Sequence, residues 1–130
     1  MSEAQEQAAL FQWAQLARQQ YKELELMYHV PNGGRRDSKE AVSLKRQGVK
    51  AGVPDICLPA GKGGYFGLYI ELKVGRNKTS SMQDLWIKRL QDMNYRTVVC
   101  YGWLKAREVI EEYLALEDTV PIRLTGGAGK

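Results

Sequence analysis

Between Gly67 and Lys73, apolar Leu68, Ile70 and Leu72 alternate with Tyr69, Glu71 and Lys73, the two-residue period of a strand with one face in a core. A shorter apolar stretch, 55–58, follows Val53-Pro54, and the glycine-rich residues 59–64 predict a turn between it and a strand over 65–73. The two strands are expected to pair as an antiparallel hairpin that brings Asp55 opposite the Glu71 and Lys73 end.

Elsewhere the period is helical. Over residues 2–20, Leu10, Trp13, Ala14 and Ala17 form an apolar stripe, with Gln12, Gln15, Arg18 and Gln19 outside it. Residues 24–30 predict a short strand that ends at Pro31-Asn32-Gly33-Gly34. A helix then runs from Asp37 or Ser38, as its cap, to a stop at Gly48. From Thr79 or Ser80 a third helix places Trp86, Ile87 and Leu90 on one face with Gln83. Residues 95–101 read as a strand, and 105–116 as a last helix with Val109, Ile110, Tyr113 and Leu114 inward. The resulting order is helix, weak strand, helix, hairpin, helix, strand, helix. It predicts an α/β fold, a small mixed sheet with helices on both sides, as one domain over 1–118. Residues 119–130, polar and glycine-rich, are expected to form a fraying tail.

Composition narrows the picture without deciding it. The net charge of +4 suits a polyanionic partner. No apolar run approaches a membrane span, and residues 1–6 have neither the basic nor the apolar part of a signal peptide, so a cytoplasmic location is expected. Cys57 and Cys100 lie in apolar strand-like stretches without a metal-binding spacing, which predicts two buried free thiols. A single histidine leaves little material for a His-rich metal site or a Ser-His-Asp triad.

The chemistry gathers at the hairpin. Glu71 and Lys73 project from one face of a buried strand, where a carboxylate and an ammonium are costly unless each has a partner. A divalent cation, a second carboxylate and a reacting water are the simplest partners, and Asp55 is the natural second acid. Asp55 and Glu71 would hold Mg²⁺ or Mn²⁺ through oxygen ligands, with the Leu72 carbonyl as a further ligand. Lys73 would orient the water or stabilise charge on a phosphate. Each piece alone is common, since Glu-x-Lys is often a surface ion pair and Pro-Asp often begins a turn. Their combination across a glycine hairpin is more specific. Glu3, Glu6 and Gln7 also lie within reach of the first helix's apolar stripe, or simply solvate its first turn. Gln83, three residues after Ser80, fits a capping box as well as a site residue. Arg35, Arg36, Lys45, Lys50 and Arg76 are candidates to follow a phosphate backbone, against the plainer reading that they solvate a helix and its loops.

Taken together, the pieces resemble the PD-(D/E)xK nuclease superfamily, and within it the VRR-NUC (virus-type replication-repair nuclease) family, in its stand-alone bacterial and phage form. The resemblance runs from Glu3 to about Leu114. It rests on Pro31-Asn32-Gly33-Gly34, on Gly48 and Gly52-Val53-Pro54-Asp55, on Gly67-Leu68-Tyr69-Ile70-Glu71-Leu72-Lys73, and on Ser80-Ser81-Met82-Gln83. It implies a restriction-endonuclease-like αβββαβ core, metal held by Asp55 and Glu71, a catalytic Lys73 and an accessory Gln83. It also implies a metal-site glutamate on the first helix four residues ahead of a glutamine. That spacing favours Glu3, with Gln7, and leaves Glu6 open. Such proteins act as homodimers on branched DNA, and Holliday-junction resolution is the activity implied. The competing class is a non-catalytic DNA-binding module on the same fold, its acids serving structure.

Overall fold

Ser2 accepts the Gln5 N–H at 3.1 Å while the Gln5 side chain accepts the Ser2 N–H at 2.8 Å, a reciprocal cap that starts helix α1 (Glu3–Ala17). The computed structural model describes residues 1–31 and 37–120. After α1 come a 3-10 turn (Lys22–Leu26), β1 (Tyr28–His29), α2 (Ser38–Arg46), β2 (Ile56–Leu58), β3 (Leu68–Lys73), α3 (Ser81–Asp92), β4 (Arg96–Tyr101) and α4 (Trp103–Leu114). The strand expected over 24–30 is thus only two residues long. Leu24 and Met27 are buried while Leu26 is exposed, so the buried positions recur every three residues, the period of the 3-10 turn that replaces it.

The sheet order is β1-β2-β3-β4. β1 and β2, and β2 and β3, pair antiparallel, and β4 joins β3 in parallel, with α3 as the crossover. This is the mixed sheet and αβββαβ order expected, with α2 inserted between β1 and β2. On one face Ile56, Leu58, Leu68, Ile70 and Leu72 meet Leu10 and Ala14 of α1 and Ala106 and Ile110 of α4 in the hydrophobic core. α1 and α4 are further joined by the Arg107 guanidinium over the Trp13 ring, 5.3 Å from its centroid. The other face carries Tyr69, Glu71 and Lys73, with α3 packed over its β4 side. Cys57 and Cys100 are buried free thiols, as expected.

Helix α2 has no buried residue, although Asp37 caps it by accepting the Glu40 N–H at 2.8 Å. Near the end of the described chain, buried Lys62 pairs with Glu23 at 2.7 Å and Asp118 at 2.6 Å. Thr119, where the tail was expected to begin, is itself held: its hydroxyl donates to the Tyr65 carbonyl and accepts the Gly64 N–H. Residues 121–130 lie outside the described residues. Among the described residues, no helix is long and apolar enough to cross a membrane.

Candidate active site

Strand alternation puts Tyr69, Glu71 and Lys73 on the face away from the core, and the β2–β3 register carries Asp55 to the same place. Ile56 pairs with Ile70, so Asp55 falls opposite Glu71. The Asp55 carboxylate turns back onto β3 and accepts the Leu72 N–H at 2.9 Å. At that point Pro54 falls opposite Leu72, and a proline has no N–H. β2 therefore supplies no backbone donor to the Leu72 carbonyl, and a side chain replaces the backbone as partner for its N–H. The main chain of Asp55 is fixed from the other side, its carbonyl accepting the Val30 N–H at 2.7 Å and His29 Nδ1 at 2.9 Å. The lone histidine is therefore a strut for the strand start.

Glu71 is 2% exposed. Its Oε2 accepts Gln83 Nε2 at 3.0 Å and lies 3.7 Å from Lys73 Nζ. Its Oε1 has no hydrogen-bond partner, the only such buried side-chain atom among the described residues. Burial raises the Glu71 pKa, and the adjoining Asp55 carboxylate raises it further. Glu3 adds to the rise and Lys73 opposes it, leaving the group at about 8. The carboxyl is thereby held toward its protonated form, with one buried oxygen that no hydrogen bond reaches.

Gln83 makes the capping box and reaches Glu71 at once. Its backbone N–H donates to Ser80 Oγ at 3.1 Å and its Oε1 accepts the Ser80 N–H at 2.9 Å. With Oε1 engaged in the cap, the amide nitrogen must point outward, and it points at Glu71. The two first-helix acids are separated by geometry. Glu6 Oε1 accepts the Trp103 N–H at 2.9 Å and so caps α4, which starts after Gly102 at φ +89° with no cap of its own. Glu3 faces the site instead, 3.4 Å from Asn77 Nδ2 and close enough for its charge to act on Glu71. Asn77 carries no signal in the sequence pattern. The Tyr101 hydroxyl donates to its carbonyl at 2.8 Å, which ties the loop after β3 to the end of β4. Nothing in the local pattern marks these residues, because they meet only across the sheet.

The basic candidates are less concentrated. Arg76 is exposed beside Asn77, on the loop that reaches Glu3. Lys45 and Lys50 are exposed at the end of α2 and in the loop that follows. Arg35 and Arg36 lie outside the described residues.

Among the described residues no three His, Cys, Asp or Glu side chains are gathered closely enough to hold a metal ion alone. The set present still fits a hard, strongly hydrated cation, which takes one or two carboxylates and keeps several waters rather than a full protein cage. Asp55, Glu71 with its unpartnered oxygen, and the Leu72 carbonyl are all oxygen donors.

The VRR-NUC domain family model matches residues 1–103. A solved structure described as a VRR_NUC domain protein is 31% identical, with a TM-score of 0.78, covering 95% of this chain and 98% of that one. Among curated proteins, none matches the chain.

Proposed function

The chain belongs to the VRR-NUC family, a nuclease-type family, and from that premise we propose that it is a Mg²⁺- or Mn²⁺-dependent endodeoxyribonuclease selective for branched DNA, four-way junctions among its substrates. One observation carries the reading. Two facing carboxylates, one of them 2% exposed and holding an oxygen without a partner, share a face with a lysine 3.7 Å away. A purely structural acid pair would be expected to have donors for all its buried oxygens.

Asp55, Glu71 and the Leu72 carbonyl would hold the cation, with Glu3 the nearest further acid. A bound divalent ion supplies neutralisation of phosphate charge and a more acidic water at that position. Lys73 presents its ammonium beside Glu71, where it orients the attacking water or balances charge on the phosphate. Gln83 holds the Glu71 carboxylate in one orientation through an amide that Ser80 has already fixed. Water attacks directly, with no covalent enzyme intermediate, and Arg76 at the rim is suited to an adjacent phosphate. A homodimer would relate two such centres by a twofold axis, which matches the symmetry of a four-way junction.

The deciding experiment is parallel cleavage of plain duplex, flap and four-way-junction DNA, with Mg²⁺, Mn²⁺ or a chelator. Metal-dependent cutting of the branched substrates above duplex is expected, and equal cutting of all three would reject the selectivity. Calorimetry with Mn²⁺ tests the site separately. Asp55→Asn should weaken binding by about tenfold or more, and an unchanged affinity would remove Asp55 from the ligand set.

A further inference from the structure

On the cleavage-site face, the sheet carries a run of aromatic side chains that the catalytic reading does not use. Tyr28 pairs with Cys57 across β1 and β2, and Cys57 pairs with Tyr69 across β2 and β3, so these three side chains emerge side by side. Both phenols lie against the buried Cys57 thiol, and that contact raises the pKa of each; for Tyr69 burial is the larger cause. Tyr69 in turn meets Tyr95 edge-on, with ring centroids 5.4 Å apart, and Tyr95 meets Phe66 edge-on at 6.0 Å. The middle of the run is half-buried and its ends are open. Tyr28 is 49% exposed and Phe66 55%. Tyr69 is two residues from Glu71 on the same strand and face, about 7 Å along the sheet.

Resting on the nuclease reading, we propose that this aromatic row binds unpaired nucleobases next to the phosphate held at Asp55, Glu71 and Lys73. The occupant follows from what DNA can offer at that distance. Its phosphates and sugars are polar, and base faces become available to a flat apolar surface only when a nucleotide is unpaired. The row contains no charged side chain, whereas Lys73 and Arg76 lie at the acid end. Backbone and base would therefore be received at different places along one strand face. Edge-on contacts suit this use, because the rings are not stacked on one another. The site would thus accept flaps, splayed arms and open junction centres over closed duplex, and the preference would come from stacking rather than from hydrogen bonds to base edges.

The test uses the two exposed ends, which can be changed with little risk to the fold. Tyr28→Leu/Phe66→Leu keeps apolar bulk and removes the rings. In a Lys73→Ala background with Ca²⁺, binding is measured by anisotropy on a flap substrate and on the same sequence fully paired. 2-Aminopurine is placed at the unpaired nucleotide beside the branch. The ring-deleted protein should bind the flap about tenfold more weakly, lose the fluorescence quenching, and bind duplex as before. Equal weakening on both DNAs, or no weakening on either, would overturn the proposal. So would a change in sedimentation mass with flap binding intact, which would make the row a contact between protein molecules. Failure of the nuclease reading shows elsewhere, as an unmodified protein that cuts no DNA with any metal while still quenching 2-aminopurine.

Discussion

Lys73 has only one charged partner among the described residues, and that partner is the most buried acid in the molecule. Replacing it with alanine removes the ammonium and leaves both carboxylates. Single-turnover cleavage by Lys73→Ala should fall by about 10²–10³-fold while DNA affinity is largely kept, and unchanged turnover would take the lysine out of the chemistry. The acid pair and the lysine are legible from strand alternation, because a period of two assigns every side chain to a face before any partner is known. The first-helix acids are not legible in this way. Glu3 and Glu6 are close on the helix surface, and what separates them is the N–H of Trp103, 97 residues from Glu6. Glu6→Gln should therefore cost about 1 kcal/mol of stability, a fall of a few degrees in Tm, with Mn²⁺ affinity unchanged. Glu3→Gln should do the reverse, and a calorimetric titration beside a thermal melt distinguishes the two.

At the level of elements, the helices after Asp37 and Ser80 are readable because their caps are written in short polar motifs. The segment before β1 misleads because Leu24 and Leu26 alternate like a strand, while burial selects Leu24 and Met27. The start of α4 is misplaced by two residues for a different reason, since its cap comes from another helix. How α3 is seated depends on a contact that composition hides. A Cβ on Gly52, at φ +94°, would lie 2.6 Å from Met82 Cγ and 2.8 Å from the Met82 carbonyl oxygen. The loop entering β2 thus lies directly against the first turn of α3, one residue before Gln83. Gly52→Ala is expected to destabilise the protein by roughly 1–3 kcal/mol and to slow cleavage by displacing Gln83. A melt and a rate measured on the same preparation would show it, and an unshifted Tm would mean the contact yields freely.

Across the whole molecule, the buried acid makes stability depend on pH with an unusual sign for a carboxylate. The pKa of Glu71 rises from the ordinary value of 4.5 to about 8 in the fold, so the folded state holds a proton that the unfolded chain has released. Its stabilising share is full below about pH 4.5 and is lost as pH climbs toward 8. In chelator, then, Tm should decline over that interval, and Glu71→Gln should melt higher than the unsubstituted protein at pH 8. Adding Mn²⁺ should restore the unsubstituted protein and leave Glu71→Gln unmoved; a flat profile without metal would show that the pair is better solvated than its burial implies. The overall α/β layout was legible because the periods change cleanly along the chain, whereas the placement of the basic residues depends on surfaces that no local pattern encodes. The link from Glu6 to Trp103 also bears on how the protein is made. The helix that carries Glu3 can pack on β3 early, but its tie to α4 forms only once α4 has left the ribosome, by which time Asp55 and Glu71 have long been translated. The bond from Glu6 to Trp103 is thus among the last fastenings the first helix receives as the chain is made.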